Sequence, residues 1–198
     1  MKHFNQLLLA GLFAGLLAGC ASAPSKFYSL NATATREAAP TSAYGVVVGP
    51  VFVPTSVDRP QFVLTSAPNR VEFEEFNRWD APLAESIARV VSLNLGAMLG
   101  TTRVAAAPMP DFGPAYRVTI RVQRFESTLG TAGHPGSALL DALWSVRGQT
   151  GDDLVSGHTI ASEPVAGASF DTLAAAHSRA ITKVSDEIAN AIRPFAEK

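Results

Sequence analysis

The chain holds one cysteine in 198 residues, Cys20, and it stands at the exit of an apolar leader. An exported chain with a single thiol closes no internal disulfide, so whatever follows Cys20 must be held together by its own apolar core. The leader is legible from its order. Met1 to Gln6 carries one fixed cation, Lys2, and Leu7, Leu8, Leu9, Leu12, Phe13, Leu16 and Leu17 follow, interspersed with Ala and Gly. A basic end, an apolar run of about 7–15 residues and small residues at the exit describe a secretory signal peptide. A permanent membrane-spanning helix needs about 20 apolar residues, more than this run supplies.

Leu17-Ala18-Gly19-Cys20 resembles the lipobox of bacterial lipoproteins. The resemblance implies cleavage before Cys20, an S-linked diacylglycerol on its thiol and an N-acyl chain (palmitate or similar) on the new amino group. Residues 1–19 are then a lipoprotein signal peptide and residues 20–26 a lipidated tether. An ordinary cleaved leader with an incidental Cys is the competing reading, but an unpaired thiol in an exported chain asks for a use. Each buried CH₂ contributes about 0.8 kcal/mol and two chains already anchor stably, so such a chain is held on a membrane without crossing it. An Asp after the Cys would suggest inner-membrane retention. Ala21 stands there instead and favours the periplasmic face of the outer membrane.

Residues 27–198 have the length of one ordinary domain. The formal net charge of the whole chain is −1, so no basic surplus exists to hold nucleic acid. Phe27 to Leu30 reads as a brief strand and Asn31 to Ser42 as a loop. Tyr44 to Val53 is a continuous apolar run, which suggests a strand buried on both faces. Pro cannot donate a ladder hydrogen bond, so Gly49-Pro50 marks a bulge or an edge, and a long edge there would permit a homo-oligomer. Gln61–Thr65 and Arg70–Phe76 form a hairpin around Ala67-Pro68-Asn69. Its second strand places Val71 and Phe73 inward, with Phe76 a further candidate, against Glu72 and Glu74.

Asp80 is the expected N-cap of a first helix, with Pro82 in its first turn, a stripe of Leu83, Ile87, Val90, Val91, Leu95 and Met98, and Gly100 past its end. Glu85, Ser86, Arg89 and Ser92 lie off that stripe. The Pro-rich residues 101–115 read as a loop. Along Tyr116–Phe125, Tyr116, Val118, Ile120 and Val122 point one way and Arg117, Thr119, Arg121 and Gln123 the other. Ala138–Arg147 is its partner strand, with Leu140, Ala142, Trp144 and Val146 inward. A turn over 148–157 and a short strand, Thr159–Val165, follow. Asp171 is the expected cap of a second helix striped by Leu173, His177, Ile181, Val184, Ile188 and Ile192 and ended by Pro194. The class is α+β, a mostly antiparallel or mixed sheet with two helices packed on one side. The order strand-strand-strand-helix occurs over both 44–99 and 116–193, which permits an internal duplication although no sequence identity supports it.

No cofactor motif is present, and covalent lipid on Cys20 is the only group implied. His134, His158 and His177 lie far apart with no H-x-x-x-H, so a metal centre is unsupported, and His177 falls on a core stripe. Neither G-x-S-x-G nor G-x-x-x-x-G-K-[ST] occurs, so the sequence offers no enzyme site. Asp58-Arg59-Pro60 has two readings. Asp58 caps a turn while Arg59 pairs with an acid such as Glu74, or both face a partner. Arg78-Trp79 likewise reads as an indole packing the helix start with Arg78 stacked or paired beside it. The Arg117, Thr119, Arg121, Gln123 face is solvated or seats a partner.

Two stretches carry a family resemblance: Gly49-Pro50-Val51-Phe52-Val53-Pro54 with Val57-Asp58-Arg59-Pro60-Gln61-Phe62-Val63, and Asn69-Arg70-Val71-Glu72-Phe73 with Arg78-Trp79-Asp80-Ala81-Pro82-Leu83. With the lipobox, Phe27-Tyr28-Ser29-Leu30 and Trp144, the chain resembles the PqiC-type ABC-transport auxiliary lipoproteins. The resemblance implies a non-catalytic, outer-membrane-anchored docking subunit, attached to the membrane by its lipid. Its partner would be an MCE-domain protein of an intermembrane lipid transport system that supports membrane integrity. Asp58, Arg59, Pro60, Arg78, Trp79, Pro82 and Leu83 are the motif residues it marks, for fold or for partner contact. A lipid-carrying module with its own apolar cavity is the alternative reading.

Overall fold

The computed structural model describes residues 23–35, 44–108, 113–131 and 133–196. The signal peptide, the Leu17–Cys20 lipobox, Ala21 and the stretch 36–43 lie outside the described residues. The elements are β1 Lys26–Tyr28, β2 Gly45–Phe52, β3 Gln61–Ala67, β4 Arg70–Trp79, α1 Leu83–Met98, β5 Val104–Ala106, β6 Ala115–Thr128, β7 Gly136–Arg147, β8 Asp153–Val165 and α2 Phe170–Ala196. The eight strands form one mixed sheet, with both helices against one side.

Strand β6 is the spine of that sheet. One of its edges pairs antiparallel with β7, which pairs antiparallel with β8. Its other edge is shared. Parallel β2 covers Ala115 to Arg121, and β3 touches it at the single pair Leu64–Ser127. The sheet therefore forks into a β2–β5 branch and a β3–β4–β1 branch. The predicted alternation of β6 holds, with Tyr116, Val118, Ile120 and Val122 buried. Its pairing with β7 then slips between Val122 and Arg124, and Phe125 becomes the next buried side chain. A bulge adds one residue and so reverses the parity of everything beyond it.

Several expectations are corrected. The 44–53 strand is no edge over Val46 to Val48, which lie between β5 and β6 and are all buried. The irregularity at Gly49-Pro50 is there, with Gly49 at φ 131° and the pairing to β6 displaced between Val48 and Val51. A Cβ on Gly49 would lie 2.9 Å from the Ala107 Cβ. Past that point Phe52 is exposed. Val71, Phe73 and Phe76 were expected inward and are exposed too, because the outer part of the β3–β4 hairpin extends past the helices. Strand β5, read as loop, is held by Ala107 N–H donating to the Val48 carbonyl at 2.7 Å. Strand β8 begins at Asp153, not Thr159, because β7 offers a paired edge along that whole length. The βββα order does occur twice, but β2 does not pair with β3, so the first half lacks the meander of the second.

Both helical stripes are as predicted, and Gly100 adopts φ 61° beyond α1. The caps differ. Ser169 Oγ accepts from the Thr172 N–H at 3.2 Å, so Ser169 caps α2 and Asp171 lies inside its first turn. Helix α2 also continues past Pro194 to Ala196. Ser86 and Ser92 are buried although they lie off the apolar stripe, because α1 meets α2 as well as the sheet. Ser86 Oγ is left without a hydrogen-bond partner among the described residues, whereas the polar groups further along α1 are satisfied. Ser92 donates to the Ala88 carbonyl at 2.8 Å, and Asn94 donates to Thr182 and Ser185 across the helix pair at 3.1 and 3.2 Å.

An aromatic cluster fastens the hairpin branch to α2. Phe62 stacks on Trp79 at 3.9 Å between centroids, and Tyr28 and Phe170 meet Phe62 edge-on at 5.5 and 5.2 Å. Trp79→Ala is expected to cost about 3–5 kcal/mol, because it empties a packed aromatic site, and Arg117→Ala on the exposed face within about 0.5 kcal/mol. Denaturant midpoints of the two variants check this. Gly157→Ala should also destabilise, because its Cβ would stand 2.2 Å from the Trp144 ring.

A candidate partner-binding cleft at the base of the hairpin

The seven motif residues Asp58, Arg59, Pro60, Arg78, Trp79, Pro82 and Leu83 line one cleft of about 460 Å³, joined by Phe27, Asp80 and Ala81. Local hydrogen bonds explain how they meet. Val57 and Asp58 N–H groups both donate to the Pro54 carbonyl, at 3.0 and 3.1 Å, which closes a turn that presents Asp58-Arg59-Pro60. The Trp79 N–H donates to the Pro60 carbonyl at 2.7 Å and ties that turn to the end of β4. The Asp80 N–H donates to the Tyr28 carbonyl at 3.0 Å, and Ser29 Oγ donates to the Asp80 carboxylate. Asp80 is thus held by the chain following β1 and does not cap α1. Pro82 occupies the cap position at φ −52° and makes no side-chain cap, so the first turn of α1 begins at the cleft wall.

The pairing expected for Arg59 is also corrected. Its guanidinium lies over the Phe73 ring, 3.9 Å from the centroid, and not against Glu74. Its Nε is buried without a hydrogen-bond partner among the described residues. Arg78 donates from Nε to the Glu75 carbonyl at 2.9 Å. Two arginines face Asp58 and Asp80, so the cleft is charged but close to balanced. Trp79 and the prolines give it an apolar floor. Such a lining suits a polypeptide segment with mixed side chains better than a small anion. Sequence reasoning quoted Phe27 and Ala81 in the resembling stretches without marking them as site residues, and it missed the Arg59–Phe73 stack. Phe27 is brought in only by the register that sets it beside Arg78.

The family model of the ABC-type transport auxiliary lipoprotein component matches residues 28–189. The chain belongs to this family. The fold of this auxiliary lipoprotein is shared with a Xanthomonas campestris crystal structure of the DUF330 family, with TM-score 0.70 and 18% identity over 88% of this chain and 100% of that one. A second crystal structure, of an uncharacterised protein, superposes with TM-score 0.69 and 16% identity over 86% of this chain and 99% of that one. At such identities the likeness is one of fold. Among curated proteins none matches the chain.

The other ionisable groups of the auxiliary lipoprotein lie apart from the cleft. On the outer sheet face, Asp141 accepts from His158 at 2.7 Å and Arg124 at 3.0 Å. The His158 hydrogen bond, helped by Arg124, holds its carboxyl below the usual range against the opposing effect of burial. Burial raises the Glu163 carboxyl, but Lys183 at 2.6 Å and Arg179 at 2.8 Å more than offset it. His134 sits in the hairpin turn opposite Thr131.

His177 is a core residue, as its stripe implied. It stacks on Phe125 at 4.0 Å, and its Nε2 is 2.8 Å from Ser127 Oγ. Burial pushes its pKa down to about 3. The unfolded chain takes up this proton near pH 6.5, so the stability the neutral ring contributes is present above about 6.5 and is lost as the pH falls toward 3. In that window the loss is about 1.4 kcal/mol per pH unit. His177→Gln should flatten the fall of unfolding free energy between pH 6 and 4 by about one proton. Parallel slopes for the two proteins would contradict a neutral buried imidazole.

Proposed function

We propose that this auxiliary lipoprotein is anchored by lipid on Cys20 to the periplasmic face of the outer membrane. There it acts as a non-catalytic adaptor that docks an MCE-domain protein of an ABC-type lipid transport system. The observation that carries the reading is the cleft. Residues of two separate family motifs, 58–60 and 78–83, meet in one lining, within a family of transport auxiliary components. Balanced charge over an apolar floor fits a protein segment. A homo-oligomer would strengthen weak docking by raising effective concentration. The longest edge for it among the described strands is β8, Asp153–Val165, which pairs only with β7.

Two measurements test this. Cys20→Ala should leave the protein folded and release it from the membrane fraction. Retention of that variant after a high-salt wash would contradict anchoring by acyl chains alone. The lipid-free protein should capture the periplasmic part of the MCE-domain protein from the same genome. The pair Arg59→Ala and Arg78→Ala should weaken capture roughly tenfold, about 1.4 kcal/mol. Absence of association at tens of micromolar, with phospholipid co-purifying instead, would favour the lipid-carrying alternative.

A further inference from the structure

Exposed large apolar side chains are ordinary when scattered singly. Here they cluster at one end. Of β4, Arg70 to Phe73, Glu75 and Phe76 are exposed, so that both faces of the outer half of the strand meet solvent. Val71 is 52%, Phe73 48% and Phe76 41% exposed, even with Arg59 over the Phe73 ring.

The direction of the chain says what lies beside this end. Strand β1 runs parallel to β4, with Lys26 opposite Asn77 and Phe27 opposite Arg78. Followed backward from Lys26, the chain is therefore headed along β4 toward Phe76 and the tip of the hairpin. Cys20 is six residues before Lys26 in the sequence. Six extended residues span at most about 20 Å. A lipid on Cys20 would hold the bilayer surface permanently within that reach, at a high effective concentration.

We propose that the tip of the β3–β4 hairpin rests on the bilayer that holds Cys20 and inserts its apolar side chains at the headgroup boundary. The proposal rests on the lipid anchor and goes beyond it, because it fixes which end of the molecule faces the membrane. The cleft at the base of the hairpin then faces away from the bilayer, toward incoming partners. The cations Lys26, Arg70 and Arg78 are matched by Glu72, Glu74 and Glu75, and Arg70 lies 3.6 Å from Glu72. Contact is thus driven by apolar insertion into a largely zwitterionic surface and should vary little with salt.

The test uses the full lipidated chain in vesicles of phosphatidylethanolamine and phosphatidylcholine, with one new cysteine at a time: Val71→Cys, Phe76→Cys, and Ser156→Cys on distant β8. A lipidated Cys20 has no free thiol, so each variant takes one polarity-sensitive dye. Dyes at 71 and 76 should shift to the blue and lose at least half their emission to nitroxide-bearing phospholipids, equally at low and high salt. The dye at 156 should do neither. Two dyes per chain would mean an unmodified Cys20 and would overturn the anchor together with this proposal. One dye per chain, with positions 71 and 76 as wet as 156, would overturn the docking alone. A blue shift that nitroxide lipid does not quench and that grows with protein density would assign the patch to a second copy, and would equally overturn it.

Discussion

Everything in this molecule is hung on the pairing of β6. One strand cannot share one edge with two neighbours unless they diverge, and β2 and β3 do so, leaving β6 covered by β2 up to Arg121 and touched by β3 at Ser127. The slip between Val122 and Arg124 lies in this gap. It turns Phe125 and Ser127 to the core, where they receive the ring and the Nε2 of His177. Without that change of parity, α2 would meet Arg124 and Glu126, and the imidazole would have no partner.

The fork also creates the cleft. Because β3–β4–β1 leaves the spine as a separate branch, it needs its own attachment to the helices, and the Phe62–Trp79 stack with Tyr28 and Phe170 supplies it. Trp79 thereby has two jobs. One face of the indole belongs to the core, and its backbone N–H holds the Asp58–Pro60 turn through the Pro60 carbonyl. The candidate site is rigid at its floor because the floor is core. Its rim, Arg59, Arg78 and Phe27, is held by one stack, one hydrogen bond and one strand pairing.

The helix pair shows a different economy. Asn94, Ser92, Ser178 and Ser185 are buried between or beside helices, each with a partner within hydrogen-bond distance. Small polar residues let α1 approach α2 closely, and satisfied donors avoid the cost of buried orphans. Glu163 keeps its charge at the edge of this region only because α2 supplies both Arg179 and Lys183.

Periodicity alone determined the two helical stripes, the alternation of β6 and β7, and the hairpin at Ala67–Asn69, because a repeat of 3.6 or 2 reports a local geometry written in neighbouring residues. The motif residues 58–60 and 78–83 were also legible as a group, but whether they met was not. Only the tertiary structure decided which faces found cover. The pattern of Val71, Phe73 and Phe76 states that they share apolar character, yet no helix extends over them. Tertiary contact also decided that β2 lies inside the sheet, that β8 starts at Asp153 and that Asp80 is held from β1, because each depends on a partner distant in the chain. A strand's period fixes which side chains point the same way; what stands opposite them is fixed by packing.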